Sequence, residues 1–194
     1  MTFDCDVRIV DGIMGSGKTE AAIRFINESP EDEKFLFITP YLSEVERIKK
    51  SCPVKDFKEP FLSKGRKLEG IRELINKEEN IVSTHELFRR FDLGLIDLCR
   101  TKNYTLIMDE VADVIEPFDL SESDFSILKE NFVTVDEETG FMKWNYERGD
   151  YNGKFTREKN LCELNSLAVY GGKVMMWLFP VEIFNAFNRI VIMS

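Results

Sequence analysis

The chain has 194 residues, of which 43% are hydrophobic and 31% charged, and its formal net charge at pH 7 is −9. This length and composition favour one globular domain with a sizeable core. No run of residues approaches the roughly 18 apolar positions of a membrane span. Acids stand where a signal peptide would carry positive charge, so we expect neither export nor membrane insertion.

The cysteines and the charge pattern restrict the function further. Four widely spaced cysteines with no C-x-x-C pair argue against a disulfide framework or a zinc site, and we expect small buried thiols in a reducing cytosol. The acidic net charge argues against a protein that coats nucleic acid by bulk attraction. Residues 42–77, however, contain ten basic and six acidic residues. This stretch could bind a polyanion along a confined surface, or it could be the solvated face of helices.

Short apolar runs alternate with helix-period segments along the chain. The first half is predicted to contain a strand over 7–11, a glycine-rich turn, a helix over 18–27, a strand over 35–39, helices over 41–50 and 66–77, and a strand over 80–84. The second half is predicted to contain a helix from His85, strands over 104–110, 173–179 and 189–194, and a short helix after Pro180. Apolar strands followed by helices indicate an α/β fold, a mostly parallel sheet with helices on both faces.

One region departs from this alternation. Residues 109–150 carry thirteen acids against three bases. Residues 132–146 alternate apolar and polar positions around Glu-Thr-Gly, as in a β-hairpin, and an Asn-Gly pair follows at 152–153. We therefore expect an acidic β-hairpin arm, residues 113–172, inserted into a single domain that spans residues 1–194.

The turn after the first strand has the spacing of a phosphate-binding loop, G-x-x-x-x-G-K-T at residues 12–19. Glycines let backbone N–H groups approach phosphate oxygens, and the following helix adds its positive end. Lys18 would reach the β- and γ-phosphates, and the Thr19 hydroxyl would bind Mg²⁺. The alternative is a glycine turn with a surface lysine. We predict binding of ATP with Mg²⁺ through Gly12, Met14, Gly15, Ser16, Gly17, Lys18, Thr19 and Glu20.

Two carboxylates end the apolar strand over 104–110 and complete this prediction. Asp109 would hold the metal ion, and Glu110 would polarise the attacking water as general base. Acids often end strands, so the pair is informative only together with the phosphate-binding turn. The glutamate favours hydrolysis over binding alone, and we predict Lys18 and Glu110 as the catalytic residues.

Four segments resemble motifs I, Ia, Ib and II of superfamily-2 helicases in order and approximate spacing: GIMGSGKT, ITPYLSEVERI, IVSTHELF and LIMDEVADVI. VIMS at 191–194 stands where motif III would follow. The sequence looks most similar to helicase-like proteins of viruses and phages, including those akin to origin-binding helicases. The resemblance implies a RecA-like P-loop NTPase, the first motor domain of an ATP-dependent nucleic-acid helicase or translocase. Its partner would be nucleic acid, DNA in preference to RNA, in the host cytoplasm if the source is viral.

The resemblance also implies roles for residues at strand ends. Four residues would lie beside the nucleic-acid backbone: Thr39, Pro40, Ser83 and Thr84. Ser194 would couple the bound nucleotide to the nucleic-acid strand. Small hydroxyls can help to grip phosphates without reading bases. The simpler interpretation is that Ser and Thr at strand ends cap the following helices. His85, the only histidine, is predicted as a first-turn surface residue, and Phe88, Phe91 and Leu95 as core.

The sequence departs from the helicase pattern in three respects. It contains no glutamine, so the adenine-reading Q motif is absent, and its motif II reads Asp-Glu-Val-Ala. It also ends at Ser194, which leaves no room for the second RecA-like domain that would supply arginine fingers. We expect the first motor domain of a longer protein, or a domain that acts with a partner subunit, and weak hydrolysis by this domain alone.

Two other functions remain open at this point. The turn also fits the G-x-M-x-S-G-K-[ST] loop of thymidine kinases, but the zinc-binding C-x-x-C pairs and the Gln-Phe-Phe after Asp-Glu are missing. A non-catalytic nucleotide-binding module, whose acidic arm recruits a partner or mimics nucleic acid, is the third possibility.

Overall fold

The computed structural model of the chain describes residues 6–13, 15–110, 114–149 and 151–194. The chain divides into two compact units: a sheet unit, Met1–Ala112 with Val181–Ser194, and an inserted unit, Asp113–Pro180. Within the described ranges, no helix has the length and apolar character needed to cross a bilayer.

The regular elements of the described residues are ten strands, seven α-helices and two short 3-10 helices. The strands are β1 (Asp6–Val10), β2 (Lys34–Thr39), β3 (Ile81–Thr84), β4 (Tyr104–Asp109), β5 (Ile115–Pro117), β6 (Val133–Val135), β7 (Met142–Trp144), β8 (Leu167–Tyr170), β9 (Val174–Leu178) and β10 (Arg189–Met193). The α-helices are α1 (Lys18–Glu28), α2 (Leu42–Ser51), α3 (Lys67–Asn76), α4 (His85–Phe88), α5 (Leu93–Lys102), α6 (Glu122–Asn131) and α7 (Thr156–Glu163). The 3-10 helices are Tyr146–Arg148 and Val181–Ala186.

Five strands of the sheet unit form one parallel sheet in the order β1-β10-β4-β2-β3. Strands β2 and β4 are apolar at four of their six positions each, because both of their faces are buried. On β2, Phe35 and Phe37 pack with Ile26 of α1 and Ile48 of α2. The alternate residues of β2 point to the other face and are also fully buried. The predicted α/β class, a parallel sheet flanked by helices, is confirmed.

Several smaller predictions are also confirmed. Phe88, Phe91 and Leu95 are in the core, with 1%, 2% and 0% of their surface exposed. Three cysteines are buried and free: Cys52, Cys99 and Cys162. Burial raises the pKa of the first thiol to about 11 and of the other two to about 12. Cys5 lies outside the described residues.

Two predictions about strands are wrong. The apolar run over 7–11 predicts a buried strand, but β1 lies at the edge of the sheet and its residues are exposed, Ile9 at 69%. The run over 173–179 was assigned to the parallel sheet, but it forms β9 in an antiparallel sheet of the inserted unit. An apolar run of this length indicates a buried strand without showing which sheet the strand joins.

The inserted unit has its own strands and core. Its three-stranded antiparallel sheet has the order β5-β9-β8, and β6 pairs with β7 as the predicted hairpin. Asp136 fixes the hairpin loop, because its Oδ1 accepts hydrogen bonds from the backbone N–H groups of Glu138 and Thr139 at 3.2 and 3.0 Å. Gly140 is required there, since a Cβ would lie 2.7 Å from the Val169 carbonyl oxygen. A cluster of aromatic rings, Phe132, Trp144, Tyr151 and Phe155, fills the space beneath the hairpin.

Candidate functional site

The register of three neighbouring strands brings the glycine-rich turn and the paired acids to one edge of the sheet. Val10 of β1 lies opposite Met193 of β10, which lies opposite Asp109 of β4. Adjacent strands are about 4.8 Å apart, so the Cα atoms of Val10 and Asp109 are separated by about 10 Å. Both segments that leave these strands therefore start at the same carboxyl-terminal edge, where α/β sheets bind ligands.

Backbone hydrogen bonds fix the ends of these strands relative to each other. The Ser194 N–H donates to the Val10 carbonyl at 3.0 Å, and the Gly12 N–H donates to the Ser194 carbonyl at 3.0 Å. On the other side, the Glu110 N–H donates to the Met193 carbonyl at 2.9 Å. Ser194 thus lies between the glycine-rich turn and the paired acids. A residue that couples these two parts of the site would need this position.

The glycines of the turn have conformations and surroundings that suit an anion. Gly15 and Gly17 have φ values of +80° and +84°, and among the described residues, flanking ones aside, no atom lies within 4 Å of the position of a Cβ on either. Gly12 is confined instead, because a Cβ there would lie 2.9 Å from the Ser16 Oγ. Gly17 immediately precedes α1, so the open side of the turn meets the positive end of that helix. Met14 lies outside the described residues.

The predicted phosphate ligand Lys18 bends back over its own turn. Its Nζ donates to the Gly12 carbonyl at 2.5 Å and, more weakly, to the Ile13 carbonyl at 3.4 Å. Glu20, predicted to contact the nucleotide, forms an ion pair with Arg47 of α2. The lysine is therefore at the turn, whereas the glutamate has a partner on another helix.

Asp109 is buried, and charged side chains around the turn shift the pKa of its carboxyl group. Only 8% of its surface is exposed, and this burial raises the pKa of its carboxyl group. The negative charges of Glu44 and Glu110 raise the pKa further, whereas the positive charges of Arg47 and Lys18 lower it. Lys18 is thus close enough for its charge to act on Asp109, and a cation bound beside the carboxylate would stabilise its ionised form.

Glu110 has a backbone conformation that is rare for residues other than glycine. Its φ is +65°, and its side chain is exposed. The left-handed region costs a residue with a Cβ roughly 1–2 kcal/mol. Such backbone strain concentrates at functional sites, where the surrounding structure maintains it.

Sequence reasoning missed two groups next to the acids. His85 was predicted at the surface, but burial lowers the pKa of its imidazole and its Nε2 is buried without a hydrogen-bond partner among the described residues. An interaction with the backbone of Asp109 and the charge of Glu110 oppose that shift. On α2, Arg47 pairs with Glu44 at 3.1 Å as well as with Glu20. The contacts of His85 with Asp109 and of Arg47 with Glu20 join residues far apart in the sequence, and no local pattern signals them.

The residues present fit a magnesium–triphosphate complex better than a metal site built from protein alone. In the part of the chain that the structure describes, no group of three or more His, Cys, Asp and Glu side chains could hold a metal ion. Mg²⁺ typically takes one or two protein ligands and completes its shell with substrate phosphates and water. Thr19 and Asp109 are suited to that arrangement.

The strand-end residues behave differently from one another. Thr39 is fully buried, and its Oγ1 has no partner among the described residues, so its hydroxyl does not reach the surface. Pro40 is half-buried. Ser83 and Thr84 line a small groove. Thr84 precedes α4, but its side chain makes no capping hydrogen bond, so capping does not explain this hydroxyl.

Comparisons with known proteins identify related sequences. Residues 115–177, inside the inserted unit, match the family model of the YonV middle domain. The chain is 36% identical over 194 aligned positions to the SPbeta prophage-derived uncharacterized protein YonV of Bacillus subtilis (strain 168). This match covers 95% of the chain and 47% of the relative, so the chain spans about half of the relative's length. No solved structure matches the chain significantly.

Proposed function

We propose that the sheet unit is a RecA-like P-loop NTPase, the first motor domain of an ATP-dependent nucleic-acid helicase or translocase. The observation that carries the proposal is the register of β1, β10 and β4, which aligns Val10 with Asp109 across one intervening strand. A triphosphate on the glycine-rich turn would therefore lie within reach of both acids. The interaction between the charges of Lys18 and Asp109 supports a shared binding space.

Each residue of the site has a role in hydrolysis. Lys18 would exchange its two carbonyl partners for oxygens of the β- and γ-phosphates. Bound Mg²⁺, held by Thr19 and Asp109, would offset phosphate charge and orient the triphosphate. Glu110 would accept a proton from water as the water oxygen bonds to the γ-phosphorus. The bond to the β–γ bridging oxygen breaks, which yields a nucleoside diphosphate and phosphate.

The motor function requires a nucleic acid and a second domain. We propose DNA in preference to RNA, bound on the side of the sheet where Ser83 and Thr84 line a groove. A second RecA-like domain, in the same protein or in a partner, would close over the nucleotide. The prophage origin in the relative's name supports a setting in the cytoplasm of a bacterial host.

The test is phosphate release by the full-length protein, with and without nucleic acid. Lys18→Ala should abolish hydrolysis, because the phosphates lose their cationic ligand. Glu110→Gln should lower it by about 100-fold or more, the usual contribution of a general base. Lys77→Ala, which removes an exposed lysine at the end of α3, is the matched control and should leave the rate unchanged. Undiminished hydrolysis in both site variants would refute the proposal.

A further inference from the structure

The three-stranded sheet of the inserted unit has one buried face and one exposed face. In β9, Met175 and Trp177 are each 5% exposed, and the residues opposite them on β8, Val169 and Leu167, are also buried. The alternate residues of each strand point to the other side of the sheet. This second side, the outer face, consists of seven residues: Ile115, Pro117, Ala168, Tyr170, Val174, Met176 and Leu178.

The outer face lacks the polar residues that a solvated sheet face normally carries. None of its seven side chains is charged, and only Tyr170 has a polar group. Tyr170 is nevertheless 78% exposed, Ile115 57% and Val174 48%, and the strand register places Tyr170 directly opposite Val174. An antiparallel sheet with one face in water alternates apolar and polar residues along each strand. A contiguous apolar surface in place of that alternation marks an interaction site.

The edges of this sheet are closed to a further strand. On the β8 edge, the Val169 N–H already donates to the Gly140 carbonyl at 2.8 Å. On the β5 edge, the Phe118 N–H points inward to the Met175 carbonyl at 2.9 Å, so the nitrogen of Pro117 points outward. Proline has no N–H to donate to a new strand. A partner would therefore pack on the outer face rather than extend the sheet.

The size of the outer face matches one helix. Its strands have three to five residues and extend over about 10–17 Å, and three strands are about 10–14 Å wide. An α-helix of about 11 residues is about 16 Å long and about 10 Å across. A second copy of the chain would need a larger surface, because each side of a standard interface contributes about 20–30 residues.

Acidic side chains border the outer face. Asp119 follows β5, and the hairpin loop beside β8 carries Glu137 and Glu138. All three are exposed, and no ion pair among the described residues involves them. Lys173 lies in the turn between β8 and β9, but residues 113–180 as a whole contain thirteen acidic and seven basic residues. A complementary partner would therefore be basic.

We propose that the outer face binds an amphipathic α-helix of a partner protein, with basic residues on both sides of its apolar stripe. Apolar side chains at i, i+3, i+4 and i+7 of that helix would pack on Tyr170 and Met176. Lysines or arginines beside the stripe would pair with the bordering acids, Asp119, Glu137 and Glu138. The inference goes beyond the proposed function, because it concerns a surface of the inserted unit and requires no nucleotide.

The test is fluorescence anisotropy of a labelled peptide of lysine, alanine and leucine, added to the 194-residue chain. The peptide has about 15 residues, enough to span the outer face as a helix. Its leucines repeat at i, i+3, i+4, i+7 and i+11, and its lysines flank them. We expect saturable binding of one peptide per chain. A peptide of the same composition with its leucines spread around the helix should bind at least about tenfold more weakly.

The apolar contacts are tested by substitutions on the outer face. Tyr170→Ser and Met176→Thr should each weaken peptide binding by roughly tenfold, because each removes apolar area from the interface. Ile127→Ser is the matched control, since it removes an apolar side chain that is 46% exposed on α6 of the same unit. Unchanged thermal unfolding of each variant shows that the fold is intact.

The charged contacts are tested by salt dependence. Glu137→Gln combined with Glu138→Gln should weaken peptide binding at low ionic strength and flatten its dependence on salt, because exposed charges are screened. Glu130→Gln removes an exposed acid of α6 that has no ion pair among the described residues, and it should change neither quantity. A peptide with glutamate in place of lysine should bind more weakly than the basic one.

Four results would overturn the inference. The first is absence of peptide binding, and the second is binding that Tyr170→Ser and Met176→Thr leave unchanged. The third is a dimer in sedimentation equilibrium that Tyr170→Ser dissociates, which would assign the outer face to a second copy of the chain. The fourth is binding by the 194-residue chain but not by the full-length protein, which would mean that another part of the same protein covers this face.

Discussion

At the scale of single residues, the candidate site contains groups that the ligand-free fold does not favour. Asp109 is buried with a raised carboxyl pKa, because desolvation disfavours its charged form. Glu110 has a left-handed backbone, and the Nε2 of His85 is buried without a hydrogen-bond partner among the described residues. A cation bound with the triphosphate would directly offset the cost of the buried Asp109 charge. Stability given up for function is a common feature of binding sites.

Replacing Asp109 by asparagine should therefore stabilise the ligand-free protein. Because the folded-state pKa of an acid is raised, the ionised carboxylate destabilises the fold at pH values above that pKa, and a neutral isostere removes this term. We expect Asp109→Asn to raise the free energy of unfolding at pH 7 by about 0.5–2 kcal/mol, measured by urea denaturation, and to abolish hydrolysis. Lower stability of this variant would show that the carboxylate has an internal partner.

The sequence predicted which residues meet at the candidate site better than it predicted the structure around them. The spacing of residues 12–19 identifies Lys18, and the end of an apolar strand identifies Asp109, because both signals are local. Strand β10 lies between β1 and β4 and places Ser194 between the turn and the acids. This order depends on long-range strand pairing, which the periodicity of the sequence does not encode. The partial burial of His85 against the Asp109 backbone depends on the same pairing, so no local pattern could show it.

At the scale of helices and strands, two helical glycines illustrate what sequence alone leaves open. Gly70 of α3 and Gly94 of α5 both interrupt helical patterns, where glycine costs up to about 1 kcal/mol relative to alanine. Gly70 is required by its contact with the Phe61 backbone, whereas a Cβ at Gly94 would meet only side-chain ends, the Arg72 guanidinium at 3.2 Å and the Asp92 carboxylate at 3.4 Å. The two positions look alike in sequence and differ only in what packs against them.

Alanine substitutions at these two glycines should change stability by clearly different amounts. Gly70→Ala should lower the free energy of unfolding by about 1–3 kcal/mol, because the Cβ would overlap the Phe61 backbone. Gly94→Ala should change it by less than about 1 kcal/mol, because the gain in helix propensity is set against displacement of the Arg72–Asp92 ion pair. Chemical denaturation of the two variants tests this difference, and a stabilised Gly70→Ala variant would show that Phe61 does not pack against α3 as described.

At the scale of the whole sheet unit, one exposed carboxylate joins segments far apart in the chain. Glu78, just beyond α3, accepts from the Lys34 Nζ at 2.6 Å and from the Lys102 Nζ at 2.9 Å, so it connects β2 to the end of α5. Hydrogen bonds with Lys34 and Lys102 lower the pKa of Glu78 from 4.5 to about 2. Because the folded-state pKa is depressed, its contribution to stability is complete above about pH 4.5 and is lost as the pH falls toward 2.

Glu78→Gln should therefore flatten the acid branch of the stability curve. The wild-type chain should lose stability between pH 5 and 2 more steeply than the variant, because only in the wild type does the carboxylate at position 78 take up a proton when the chain unfolds. Urea denaturation across that pH range measures the effect. Glu28→Gln, at an exposed acid with no ion pair among the described residues, is the control. Parallel curves for wild type and Glu78→Gln would contradict the pKa shift.

The central claim, that a triphosphate binds between the glycine-rich turn and the paired acids, is tested most directly by equilibrium binding of MgATP to the 194-residue chain. A fluorescent ATP analogue and thermal unfolding report on it independently. We expect saturable binding that stabilises the fold by about 2.7 kcal/mol at a hundredfold excess over Kd. This binding should be lost in Lys18→Ala and retained in Lys77→Ala. No saturable binding at millimolar MgATP, or equal binding by Lys18→Ala, would contradict the claim.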